Sequence, residues 1–132
     1  MQIVERAHRC YREQRWEDLR SCFHAAAMLH TLVWPSGVLG RDDFVDAVMR
    51  AASTVRFHLT PQRLELLADE AVIVDVSVRL PSGRGWIHTS ATEVYTLVDG
   101  LIFRTDFFGS RHAAVACFER HGATLGLAAA AG

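Results

Sequence analysis

A chain of 132 residues is long enough to bury one hydrophobic core and too short for two ordinary domains. Half of the residues are apolar and 22% are charged, with a formal net charge of -1, which excludes a disordered chain and, since Lys and Arg are scattered among acids, leaves no footprint for nucleic acid. The longest apolar run, "LGLAAAAG" in the tail, is far too short to span a bilayer, and the opening "MQIVERAHRCYREQ" has no apolar stretch of the signal-peptide kind, so a cytoplasmic protein without membrane partners is expected.

Ile3, Val4, Ala7 and Tyr11 recur at helical spacing, and Trp16, Leu19 and Phe23 do so again after a polar break, which predicts two helices or one kinked helix. "HAAAMLHTLVW" reads as a strand ended by Pro35 and the loop "PSGVLG". Asp42 and Asp43 then supply carboxylates to the first turn of a helix whose apolar face is Phe44, Val45, Val48, Met49 and Ala52. From Val55 the apolar period changes to two through "VRFHLTPQRLELLAD", "AVIVDVSVRL", "GWIHTSATEVYTLV" and "LIFRTDFF". Four long strands follow, joined at "ADEA", "PSGRG" and "DG", so a mostly antiparallel meander is expected. A last helix, "RHAAVACFERHG", stops at Gly122, giving one domain over residues 1–122 and an Ala-rich tail over 123–132. Helices followed by curved antiparallel strands predict an α+β architecture. Cys10, Cys22 and Cys117 are odd in number and form no CxxC pair, which favours reduced thiols over a disulfide framework or a zinc site.

This order of elements, with "YREQRWEDLRSCF", "GRDDFVDAV", the hairpin "RFHLT…LELLADEAVI" and "VDGLIFRTDFFG", resembles the SnoaL-like group of the nuclear transport factor 2-like superfamily over residues 5 to 110. The resemblance implies a cone-shaped, cystatin-like fold with a deep pocket between helices and sheet. It also implies a small apolar, polyketide-like or steroid-like ligand and no cofactor. Against the dehydratase branch, His58 stands at the catalytic His and Tyr11 at the water-orienting Tyr, but Arg12 replaces the Asp that pairs with that His. Against the ketosteroid isomerase branch, Trp34 replaces the base and Ala7 the helix tyrosine, while Glu93 lies near the acidic hydrogen-bond donor. Against the polyketide cyclase and limonene epoxide hydrolase branches, Asp106 matches a late acid-base Asp, and Asp75 precedes "LPSGR" as a second Asp does, with Ile73 where an Arg is expected.

Strand parity taken with the resemblance turns His58, Asp75 with Ser77 and Arg79, Glu93 with Tyr95, and Arg104 with Asp106 and Phe108 toward the pocket. Tyr11, His30 and Trp34 complete its wall or mouth. His58, Asp106 and Asp75 are the expected catalytic groups, Asp106 leading because Phe107 and Phe108 flank it. Each has a plainer reading: a solvated strand histidine, an ion pair of Asp106 with Arg104, and the polar side of a strand. The other histidines lack metal-site spacing, and no metal is expected. Val72, Val74, Val76 and Val78, with Leu101, Phe103 and Phe107, then face away from the helices, and a second copy of the chain is the simplest cover, predicting a homodimer through the sheet. The alternative is that the two faces are inverted, with the valines as core. Two functions follow: a His-Asp acid-base enzyme acting on a carbonyl, hydroxy or epoxide compound by dehydration, cyclisation, isomerisation or hydration, or a non-catalytic binding or dimerisation module of the same fold.

Overall fold

Val4, Ala7 and Cys10 fall on one side of a helix by their spacing. In the computed structural model, which describes residues 1–31, 37–54 and 58–121, they are buried on α1 (Gln2–Arg12). The polar break after α1 is a Schellman turn. Gln14 takes the left-handed conformation, its N–H donates to the Tyr11 carbonyl and that of Arg15 to the Cys10 carbonyl, so the last carbonyls of α1 are satisfied. A short α2 (Trp16–Arg20) follows. Phe23, read from spacing as the end of that helix, instead begins strand β1 (Phe23–Thr31). The rest of the chain runs β2 (Gly37–Leu39), α3 (Arg41–Thr54), β3 (His58–Ala68), β4 (Ala71–Ser82), β5 (Gly85–Val98), β6 (Leu101–Phe108) and α4 (Arg111–His121). Trp34 and the tail beyond Gly122 lie outside the described residues.

The six strands form one curved sheet in the order β2-β1-β6-β5-β4-β3, antiparallel except for β1 with β6. Asp99 and Gly100, both at positive φ, close the β5–β6 hairpin, as the "DG" pair predicts. This is the α+β arrangement, helices on a curved and mostly antiparallel sheet, that the resemblance implies.

On β4 and the later part of β6 the two faces are the reverse of the expectation, whereas Glu93 and Tyr95 of β5 face inward as expected. Val72, Val74, Val76 and Val78 pack with Val4, Ala7 and Cys10 of α1, Leu19 of α2 and Val45 of α3, so the valine stripe is the core under the helices. Each valine removed from water stabilises the fold by about 1.5 to 3 kcal/mol. On the opposite face Ile73 and Val94 pack against Ala114 of α4, with Leu67, Phe108 and Val115 around them. Because α4 covers that side, Ala71 to Val74 are buried on both faces and carry no alternation from which inside could be told. The chain's own helices cover the valines, so this stripe needs no second copy to bury it.

Strand β6 misleads parity further. Thr96 pairs with Arg104 and Leu97 with Ile102, so Phe103 is the extra residue of a bulge. Beyond it Thr105 and Phe107 turn inward, opposite Tyr95 and Glu93, while Arg104, Asp106 and Phe108 turn outward, opposite Thr96, Val94 and Thr92.

Candidate functional site

Helices and inner sheet face enclose a half-open cavity. Each element contributes at its own period: Ala7, His8 and Tyr11 one turn apart on α1, Phe44 and Val48 one turn apart on α3, and the alternate pairs Glu93 and Tyr95 on β5 and Thr105 and Phe107 on β6. Leu19, Phe23, His30 and Leu59 complete the wall. Among the described residues the lining contains no Lys or Arg, and Glu93 is its one carboxyl group.

Three buried polar side chains form a chain of hydrogen bonds in this wall. The Tyr95 hydroxyl donates to Glu93 Oε2 at 2.9 Å, and His8 Nε2 stands 3.0 Å from the same hydroxyl oxygen. Since the single hydroxyl proton goes to Glu93, His8 must hold its proton on Nε2 and donate it to the tyrosine oxygen. Glu93 Oε1 is 3.5 Å from His8 Nε2 and has no hydrogen-bond partner among the described residues, although Glu93 is only 4% exposed. Burial raises the Glu93 carboxyl to about 7, against the Tyr95 hydrogen bond that pulls it down. Burial, reinforced by the nearby Arg12 charge, lowers His8 to about 4. At neutral pH His8 is therefore uncharged, and its approach to Glu93 is a contact of a neutral imidazole with a carboxyl group rather than a salt bridge. Burial pushes the Tyr95 hydroxyl well above its ordinary value and raises Tyr11 to about 12, so both stay protonated.

Of the residues expected at the pocket, Tyr11, His30, Glu93 and Tyr95 line the cavity; the others described do not. His58 pairs with Arg79 across β3 and β4, is exposed, and lies with its ring 5.9 Å from that of Trp86, while the Arg79 guanidinium stacks 4.2 Å over Trp86. The β3 residue that reaches the cavity is its neighbour Leu59. Asp75 accepts from Arg111 Nη1 at 2.9 Å and from the Thr92 hydroxyl at 3.2 Å, a tie between the sheet and the first turn of α4. Arg111 also pairs with Glu65 at 2.6 Å. Asp106 accepts Arg104 Nε at 2.9 Å and Nη2 at 3.1 Å, the plainer reading of that pair. Phe108 packs against the Ile73, Val94 and Ala114 cluster. His58 and Asp106 are separated by β4 and β5, roughly 14 Å at the usual strand spacing, so no His-Asp pair forms between them. His30 is the lining residue whose ring comes near Asp106. Its Nδ1 bonds the Thr105 carbonyl and lies 3.7 Å from Asp106 Oδ1.

His8 is a polar cavity residue missed from sequence. Its signal was helical spacing: four residues after Val4 and three before Tyr11, it falls on the buried side of α1. Thr105 and Phe107 were hidden by the bulge at Phe103. Among the described residues no group of three or more His, Cys, Asp or Glu side chains could hold a metal, and no helix is long and apolar enough to cross a membrane.

Three solved structures share the fold at low identity. A nuclear transport factor 2-like protein of unknown function from Burkholderia pseudomallei superposes with a TM-score of 0.70 at 12% identity, over 88% of this chain and 94% of that one. A candidate polyketide cyclase from Sinorhizobium meliloti gives 0.68 at 15%, over 82% and 94%. An epoxide hydrolase of the limonene epoxide hydrolase-like type from M. tuberculosis gives 0.67 at 13%, over 84% and 78%. No curated protein matches the chain. The family model described as the SnoaL-like domain matches residues 4–105, a stretch that holds every lining residue except Phe107, and the chain belongs to that family.

Proposed function

We propose that the cavity takes a small, largely apolar carbonyl, hydroxy or epoxide compound and that Glu93 is its acid-base group, held in register by Tyr95 and His8. The observation that carries this reading is Glu93 Oε1, a buried carboxyl oxygen in the wall of a cavity without a hydrogen-bond partner among the described residues. Buried polar atoms are almost always bonded, and an exception calls for a specific explanation, of which a role in binding or catalysis is one.

The proton inventory suits both directions of transfer. His8 donates to Tyr95 and Tyr95 to Glu93 Oε2, which leaves Oε1 as the carboxyl oxygen free to exchange a proton with a bound molecule. When protonated, Oε1 can donate to a carbonyl or epoxide oxygen; when ionised, it can accept a proton from a hydroxyl or from a carbon beside a carbonyl. A carboxyl raised to about 7 populates both forms near neutral pH. The aromatic and aliphatic wall supplies apolar contact and excludes water from the reacting group. Proton transfer of this kind underlies dehydration, cyclisation, isomerisation and epoxide opening, and the neighbours named as a candidate polyketide cyclase and an epoxide hydrolase are consistent with such substrates.

The test begins with a thermal-shift screen of cyclic ketones, hydroxyketones and epoxides, followed by turnover assays on the compounds that stabilise the protein. Glu93→Gln preserves the shape of the cavity and removes the transferable proton. Turnover should fall by roughly a hundredfold or more. A Glu93→Gln protein that turns the compounds over at the wild-type rate would refute the assignment.

A further inference from the structure

Among the described residues no Lys or Arg lines the cavity or pairs with ionised Glu93, and the Arg12 charge of α1 acts on His8 beside it. From α1 the groups facing Glu93 are His8, neutral at neutral pH, and Tyr11, protonated; from β5 itself, Tyr95, also protonated. Strands β4 and β6 place Val74 and Phe107 directly across from it, β6 adds Thr105, β1 contributes His30, and α2, α3 and β3 contribute Leu19, Phe44, Val48 and Leu59. A buried carboxylate in such surroundings is stabilised by a cation or by taking up a proton. The wall has five aromatic residues, Tyr11, Phe23, Phe44, Tyr95 and Phe107, and aromatic rings attract cations whose charge is spread over alkyl groups.

We propose that the cavity is also a binding site for small organic ammonium ions, Glu93 Oε1 meeting the cationic head and the aromatic wall meeting its alkyl substituents. This rests on the reading of the cavity as a ligand site and adds a second ligand class to it. A primary ammonium is disfavoured, because three N–H donors would find one free carboxylate oxygen in an apolar wall. A tertiary or quaternary head brings one donor or none and loses less hydration on entry. Anions are disfavoured, since among the described residues the lining offers a carboxyl group and no Lys or Arg.

Choline and its uncharged isostere 3,3-dimethylbutan-1-ol differ by the charge of one central atom, and choline keeps its charge at every pH, so its affinity reports the ionisation of the protein alone. Isothermal titration of the intact chain at pH 8 should give tighter binding for choline than for the isostere. The choline affinity should fall by about tenfold on going to pH 6, as the ionised fraction of a group titrating near 7 falls from about nine-tenths to about one-tenth. Glu93→Gln, checked for folding by circular dichroism, should bind both compounds equally and without this pH step. Equal binding of the two compounds to the wild-type protein at pH 8, or a preference for choline over the isostere that persists undiminished in Glu93→Gln, would overturn the proposal. Binding of the isostere or of a neutral ketone without choline overturns the ammonium site alone, whereas binding of none of them overturns the ligand cavity as well.

Discussion

Glu93 and Tyr95, two residues apart on β5, share the inner face of the sheet, and the hydroxyl of one donates to a single carboxyl oxygen of the other at 2.9 Å, leaving the second oxygen unbonded. The asymmetry follows from strand geometry, since residues i and i+2 project side by side while the next group on that face, opposite Glu93, is the ring of Phe107. Everything chemical about the cavity depends on that half-satisfied carboxyl group.

The first consequence is a stability profile. Glu93 has a folded value near 7 against an ordinary 4.5, so the folded protein holds this proton more tightly than the unfolded chain. Its contribution is full below about 4.5 and is lost as pH rises to about 7. His8 works the other way: its folded value near 4 against 6.5 gives stability that is present above about 6.5 and lost as pH falls toward 4. The two slopes oppose each other between pH 4.5 and 6.5 and flatten the wild-type profile there. Glu93→Gln, which cannot ionise, should uncover the His8 slope. The stability of this variant relative to wild type should rise between pH 4.5 and 7 by on the order of 3 kcal/mol, read from urea midpoints across that range. A constant difference would mean that Glu93 titrates as it does in water.

Tyr95→Phe removes the donor to Glu93 and the acceptor for His8 in one step. The Glu93 carboxyl loses the hydrogen bond that holds its value down and should titrate above 7, visible in the pH dependence of its side-chain carboxyl carbon resonance. Two buried polar groups lose a partner, so the variant should be less stable by about 2 to 4 kcal/mol in denaturant titration at pH 7. A resonance that titrates as before would separate Tyr95 from the control of Glu93.

The order of elements was legible because each carries a local signal: helical spacing on α1, Asp42 and Asp43 opening α3, the "DG" turn between β5 and β6. Which face of the sheet is inside was not. Ala71 to Val74 are apolar on both sides because α4 covers the outer one, and the Phe103 bulge shifts the parity of β6 by one after Ile102. A period-two pattern fixes which residues share a face and leaves open which face is covered, a matter for the docking of helices distant in sequence. Glu93 and Tyr95 were found together since they belong to one strand; the same parity joined them to Asp75 and Asp106, which the cross-strand register sends to the other side. His8 went unrecognised because a histidine on an amphipathic helix reads as surface until the strand it packs on is known.

His58 and Asp106, assigned to the outer face, should be dispensable for the cavity. His58→Ala leaves an exposed position whose ring stands near Trp86 and should change stability by no more than about 0.5 kcal/mol. Asp106→Asn loosens the pairing with Arg104 at a partly buried site and should lower stability by about 1 kcal/mol. Compounds that stabilise the wild-type protein in a thermal-shift assay should stabilise both variants by the same increment. Loss of ligand stabilisation in His58→Ala would place that residue at the cavity after all.

Neighbouring residues on β4 give the sharpest test of which face is the core. Val74 is fully buried, between Leu64 on β3 and Glu93 on β5, on the side covered by the helices. A carboxylate there has no cation within the core cluster to pair with, and Val74→Asp should destabilise the fold by more than about 4 kcal/mol and leave little folded protein at 37 °C. Asp75, one residue on, points the other way, toward Thr92 and Arg111. Asp75→Asn keeps an oxygen to accept from Thr92 and loses only the charge opposite Arg111, a partly exposed pair, so it should cost about 1 kcal/mol, with the loss concentrated in the docking of α4. Amide hydrogen exchange reads that location directly, with faster exchange expected in Arg111–His121 and unchanged protection at the cavity strands. Comparable destabilisation by the two substitutions, or faster exchange along β5 and β6 in Asp75→Asn, would mean that the inward and outward sides of β4 are assigned the wrong way round.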